Sequence, residues 1–105
     1  MDIIFETIDK TNRKIRLTKK QWKHIQKHPH MHLYESVERI KDTVNSPTTI
    51  RYNNEDETVN YFYREYNDMD IFERYLLVSV KYLNGDGFVI TSFYTNRITG
   101  SKWKI

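Results

Sequence analysis

Apolar and polar positions alternate in "DIIFETI" (2–8) and again in "RKIRL" (13–17), with the turn-forming "DKTN" between them. This two-residue period predicts a short N-terminal β-hairpin. Thr18 has the chemistry of a helix N-cap. From it, "KKQWKHIQKH" places Trp22 and Ile25 on one side of a first helix, which Pro29 closes by disfavouring helical geometry at His28. Leu33, Val37, Ile40 and Val44 then recur at helical spacing, Tyr34 extends the stripe, and "NSP" at 45–47 ends this second helix.

Beyond Pro47 the period becomes that of strands: "TTIRY", "TVNYFYREY", "RYLLVSVKYL" and "GFVITSFYT", with a last short piece "SKWKI". Asn84-Gly85-Asp86-Gly87, between two β-branched and aromatic runs, is a strong hairpin signal. In the run from Tyr75 to Leu83, Leu76, Val78 and Val80 point one way, and Ser79 and Lys81 the other, as expected when one sheet face packs on helices. The prediction is an α+β fold in a single domain spanning 1–105: an N-terminal β-hairpin, two helices, then a four-stranded antiparallel β-meander with both helices on one face. The free edge of the hairpin suits pairing with a second copy, a homodimer.

The chain has no cysteine, so disulfides, thiolate zinc sites, iron–sulfur clusters and a cysteine nucleophile are excluded. No apolar run approaches the length of a membrane span, and "MDIIFETIDK" carries acids where a signal peptide has a basic region. The expectation is a cytoplasmic protein without membrane contact. The net charge of +3 is unevenly placed. Residues 10–28 hold eight bases (Lys10, Arg13, Lys14, Arg16, Lys19, Lys20, Lys23, Lys27) and no acid, whereas 53–73 hold seven acids and the single base Arg64. A basic stretch can track phosphates, so RNA becomes a candidate partner of Lys19, Lys20, Lys23 and Lys27. A solvated charged face is the plainer alternative.

All four histidines, His24, His28, His30 and His32, fall within nine residues. His24 and His28 have the spacing of zinc proteases, but Ile25 stands where those need a glutamate, and the strands offer no further ligands. Neither a metal site nor a cofactor is predicted. Acid–base chemistry fits better, because an imidazole titrates near neutrality and RNA supplies its own nucleophile, the 2′-OH. Such a site also needs cations and a hydroxyl to stabilise and orient the phosphate. Arg64 and Lys81 are the strand cations nominated, and Thr91 or Ser92 the hydroxyl, since a one-residue slip of register exchanges the two. The strand aromatics divide between core fillers and base-stacking platforms, with Tyr63 and Tyr94 nominated for stacking.

"WKHIQKHP" on a first helix, a second amphipathic helix ending in "SP", and "YFYREY", "YLLVSVKYL" and "GFVITSFYT" on successive strands resemble the phage-type branch of the barnase, EndoU, colicin and RelE-like (BECR) nuclease superfamily. The similarity runs from about Leu17 to Trp103. It implies a metal-independent endoribonuclease, often a toxin or effector in phage and host conflicts, and hence an antitoxin or inhibitor protein as a partner. Carried over, the helix histidine maps to His24 with His28 close behind, the strand base to Arg64 or Lys81, and the last-strand hydroxyl to Thr91. Where such chains follow "HP" with an acid, this one has His30. The reading is RNA cleavage with His24 as general acid or base; the alternative is a non-catalytic RNA-binding or protein-interaction module of the same fold.

Overall fold

The computed structural model describes residues 2–33 and 35–102. The N-terminal hairpin forms as β1 (Ile3–Ile8) and β2 (Lys14–Thr18). Its turn is organised by the buried Asp9 carboxylate, which accepts from the Thr11 and Arg13 backbone N–H groups at 2.8 and 3.0 Å. The Thr18 hydroxyl accepts from Gln21 N at 3.3 Å and so caps α1 (Lys19–Ile25) as its sequence suggests.

That first helix is shorter than Pro29 alone implies. Lys27 N and His28 N bond back three residues, to His24 O and Ile25 O, so the chain leaves α-geometry after Ile25. His28 therefore lies beyond the helix rather than on it. Helix α2 (Glu35–Asn45) buries Ile40 and Val44, with Val37 half-buried. Leu33 precedes it and is exposed, which removes Leu33 from the predicted stripe, and Tyr34 lies outside the described residues.

The meander follows as β3 (Thr49–Tyr52), β4 (Val59–Glu65), β5 (Tyr75–Leu83) and β6 (Asp86–Thr95), each antiparallel to its neighbour. Asn84 and Gly85 have φ of 55° and 89° between β5 and β6, the positive pair that a two-residue hairpin turn requires. A short 3₁₀ turn, Ile71–Glu73, breaks the connection between β4 and β5.

The sheet is larger than a four-stranded meander. It has seven strands in the order β1-β2-β6-β5-β4-β3-β7, where β7 is Ser101–Lys102 from the predicted last piece, whose residues 103–105 lie outside the described residues. The hairpin joins it through a parallel pairing of β2 with β6, at Ile15 with Gly87 and Arg16 with Phe88. One side of the hairpin is thereby covered from within the chain, and β1 remains at the end of the strand order. Gly87 is required there, because a Cβ would stand 2.8–3.0 Å from side-chain atoms of Val80, Tyr82 and Ile15.

Both helices pack on one sheet face. Ile25, Ile40 and Val44 join Phe62, Leu76, Val78, Val80 and Val89 in a continuous core. Beyond Phe88, β6 has no strand on its β2 side, and α1 takes that place, with Gln21 Nε2 donating to Ile90 O at 3.0 Å. Among the described residues no helix is long and apolar enough to cross a membrane.

Candidate active site

Strand register decides which polar residues meet. Directly paired residues share a face. Lys81 pairs with Val59 and Phe88, Ser79 with Tyr61 and Thr91, and Leu77 with Tyr63 and Phe93, so all these side chains stand on the face opposite the helices. Strict alternation in β6 from Phe88 would put Ile90 and Ser92 there instead. The register shift between Ser79 and Val80 is a bulge that accommodates Ile90 and inverts the order, bringing Thr91 to the helix-free face.

Ser92 accordingly turns inward. It is fully buried and its hydroxyl donates to Leu77 O at 2.7 Å, a structural bond that removes it from the candidate site. Arg64 is also on the wrong side. It pairs with Leu76, on the helix face, and its Nη1 donates to Ser46 O at 2.8 Å near the end of α2. Tyr94 shares that face, paired with Leu76, and its hydroxyl accepts from Arg39 at 3.1 Å. Burial pushes the Tyr94 phenol above its ordinary value, with the Arg39 bond opposing.

Tyr63 is on the helix-free face but covered. The segment from Asn96 to Gly100 crosses over it on the way to β7, and Thr99 N donates to the Tyr63 hydroxyl at 3.2 Å. At 1% exposure the ring cannot stack a base. Tyr63 is therefore structural and Tyr94 stands on the helix face, whereas Phe93 and Tyr61, half-buried on the helix-free face, remain reachable there.

The imidazole that reaches this face is His28. Released from α1, it rounds the β6 edge, with Nε2 3.3 Å from Thr91 Oγ1 and its ring 5.3 Å from that of Phe93 at a 48° tilt. His24 is exposed on α1 and makes no side-chain hydrogen bond among the described residues. It lies one turn beyond Gln21, hence on the side of α1 that meets β6. His30 pairs instead with Glu73 at 3.1 Å, and His32 is exposed.

Two cations of this face are already engaged. Lys81 Nζ lies 2.6 Å from Asp56 Oδ2, and Arg16 pairs with Glu6 and Asp86 at 3.1 and 3.5 Å. The Lys81 ammonium, with Thr58 donating as well, holds the Asp56 carboxyl at about 2. Arg51, opposite Tyr61, has no carboxylate partner among the described residues. It is absent from the residues that the sequence nominates. Its signal is the alternation in "TIRY", where Ile50 packs on the core and sends Arg51 the other way.

Lys19, Lys20 and Lys23 are exposed along α1 and line a cleft of about 540 Å³ with Asp2 and Thr18, and Lys27 is exposed just beyond the helix. Among the described residues no three His, Asp or Glu side chains gather as a metal ion would require.

The family model PBECR2, described as phage-Barnase-EndoU-ColicinE5/D-RelE like nuclease2, matches residues 4–104. No curated protein and no solved structure matches the chain.

Proposed function

We propose that this chain, which belongs to the phage-Barnase-EndoU-ColicinE5/D-RelE like nuclease2 family, is an endoribonuclease that needs no metal and uses His28 as its principal proton carrier. The observation that carries this reading is the approach of His28 Nε2 to Thr91 Oγ1 on the face that the helices leave bare. An imidazole there can take the proton of a ribose 2′-OH. The O2′ then bonds to phosphorus as the P–O5′ bond breaks, leaving a 2′,3′-cyclic phosphate and a 5′-hydroxyl end whose oxygen collects a proton. Thr91 orients the phosphate by hydrogen bonding to a non-bridging oxygen. His24, on the β6 side of α1, is the second proton carrier, a role in which its exposure costs it efficiency. The lysines of α1 attract the polyanion to this side. Arg64 takes no part.

The test is incubation of the purified protein with total RNA in chelator, wild type beside His28→Ala and His24→Ala, with the cut ends mapped. Wild type should leave cyclic-phosphate ends, His28→Ala should lose about a hundredfold or more, and His24→Ala less. Unchanged cleavage by His28→Ala would reject the assignment. RNA binding by wild type without cleavage would favour the non-catalytic module.

A further inference from the structure

Four side chains lie in one row across the sheet, each paired in register with the next: Thr91 on β6, Ser79 on β5, Tyr61 on β4 and Arg51 on β3. His28 stands at one end of these four, and beyond Arg51 the register continues to Lys102 on β7. Three strand spacings separate Thr91 from Arg51, about 14 Å. That is too far for both to hold one phosphate.

Arg51 is set in place with one nitrogen unpaired among the described residues. Its Nε is buried and has no hydrogen-bond partner among the described residues. Other arginines with a buried unpaired nitrogen differ, since Arg13 stacks on Tyr82 and bonds Thr11, and Arg16 meets two carboxylates. The crossing segment fixes the Arg51 stem. Gly100, at φ +88°, lies so close that a Cβ would stand 3.3 Å from Arg51 Cβ and 2.7 Å from Tyr52 O. With Nε shut off from solvent, the half-exposed remainder of the guanidinium is what a ligand can meet, and a phosphate answers such a group through charge-assisted bonds.

We infer that Arg51 is a subsite for a phosphate flanking the cut, so that single-stranded RNA lies across the strands from β6 to β3 with Tyr61 under the intervening nucleotide. This rests on the nuclease reading for the position of the cut, but the binding of RNA at Arg51 can be read without cleavage. Duplex RNA does not fit, since its bases are stacked and unavailable to Tyr61.

The experiment uses a hexanucleotide centred on the mapped cut, replaced by a mixed-sequence hexamer for the binding arm if no cut is found, and the dinucleoside monophosphate spanning the same cut, which holds the scissile phosphate alone. Arg51→Gln should raise KM for the hexamer about tenfold with kcat little changed, and should leave kcat/KM for the dinucleotide within about twofold of wild type. Arg51→Lys should recover part of the loss. In parallel, binding of a 2′-O-methyl hexamer, which cannot be cleaved, should lose about one from its salt slope in Arg51→Gln.

A neutral methylphosphonate at the flanking linkage should weaken wild type about tenfold and Arg51→Gln hardly at all, and the wild-type arm does not depend on how the variant folds. Equal losses on both substrates, a methylphosphonate effect that persists in Arg51→Gln, or no binding of the hexamer by wild type would each overturn the subsite. Tight binding with an Arg51-dependent salt slope and no cleavage would overturn the nuclease reading and keep the subsite.

Discussion

The two faces of the sheet carry nearly the same chemistry to different ends. On the helix face, Arg64, Ser92 and Tyr94 are bound to Ser46 O, Leu77 O and Arg39. On the other face, Arg51, Thr91 and Tyr61 have a guanidinium without a carboxylate, a hydroxyl shared with His28, and a phenol that accepts only from Asn53 among the described residues. An arginine, a hydroxyl and a tyrosine are present in both sets. What separates a fastener from a candidate reagent is whether the protein has already satisfied it, and for these six residues the division follows strand parity.

The sharpest way to break the comparison is at neighbouring hydroxyls. Thr91→Val removes the one beside His28 with little change in shape, and cleavage should fall about tenfold while Tm stays within about 2 °C. Ser92→Ala should do the reverse, with cleavage by the folded protein unchanged and stability reduced by about 1 kcal/mol through loss of the bond to Leu77 O. Thermal melting and single-turnover cleavage on the same two samples check both. If Ser92→Ala slowed cleavage and Thr91→Val did not, the bulge at Ile90 would have been assigned the wrong face.

Much of this architecture is legible from residues that act locally. The Thr18 cap, the Asn84-Gly85 turn and the alternation in β5 each depend on a few neighbouring side chains, and each forms as its sequence implies. The site is harder to read because its geometry depends on contacts far along the chain. The bulge that exchanges Thr91 for Ser92 exists only in the pairing of β5 with β6. In β4, Tyr61, Phe62 and Tyr63 are large on both faces, because one side meets the helices and the other the crossing segment. No alternation survives there to show which way Arg64 points. The parallel docking of β2 on β6 joins residues about seventy positions apart, for which a single sequence offers no local mark.

Arg64 offers a milder contrast with Arg51. Arg64→Gln should leave cleavage within about twofold of wild type and cost at most about 1 kcal/mol, the value of one partly exposed bond to Ser46 O. Paired kcat/KM measurements and melts of Arg64→Gln and Arg51→Gln distinguish a cation that ties a helix end from one that meets substrate. A large loss of cleavage in Arg64→Gln, with the melt unchanged, would return that residue to the site.

The smallest effect concerns Lys81, whose charge is on the right face but already answered by Asp56. Asp56→Asn removes that competitor and should tighten RNA binding a few-fold at low salt, with the salt slope steeper by about one phosphate contact. The sign with pH follows from the Asp56 carboxyl being held at about 2, below the 3.8 of a free aspartate. The pair contributes above 3.8 and is lost only as pH falls toward about 2, so between pH 5 and 8 the carboxylate remains charged and gives wild-type binding no titration of its own. Binding isotherms across that range should therefore show a constant offset between Asp56→Asn and wild type. An offset that vanished at pH 5 would mean that the two proteins differ through some group other than Asp56, with a histidine of the adjoining row the first to examine.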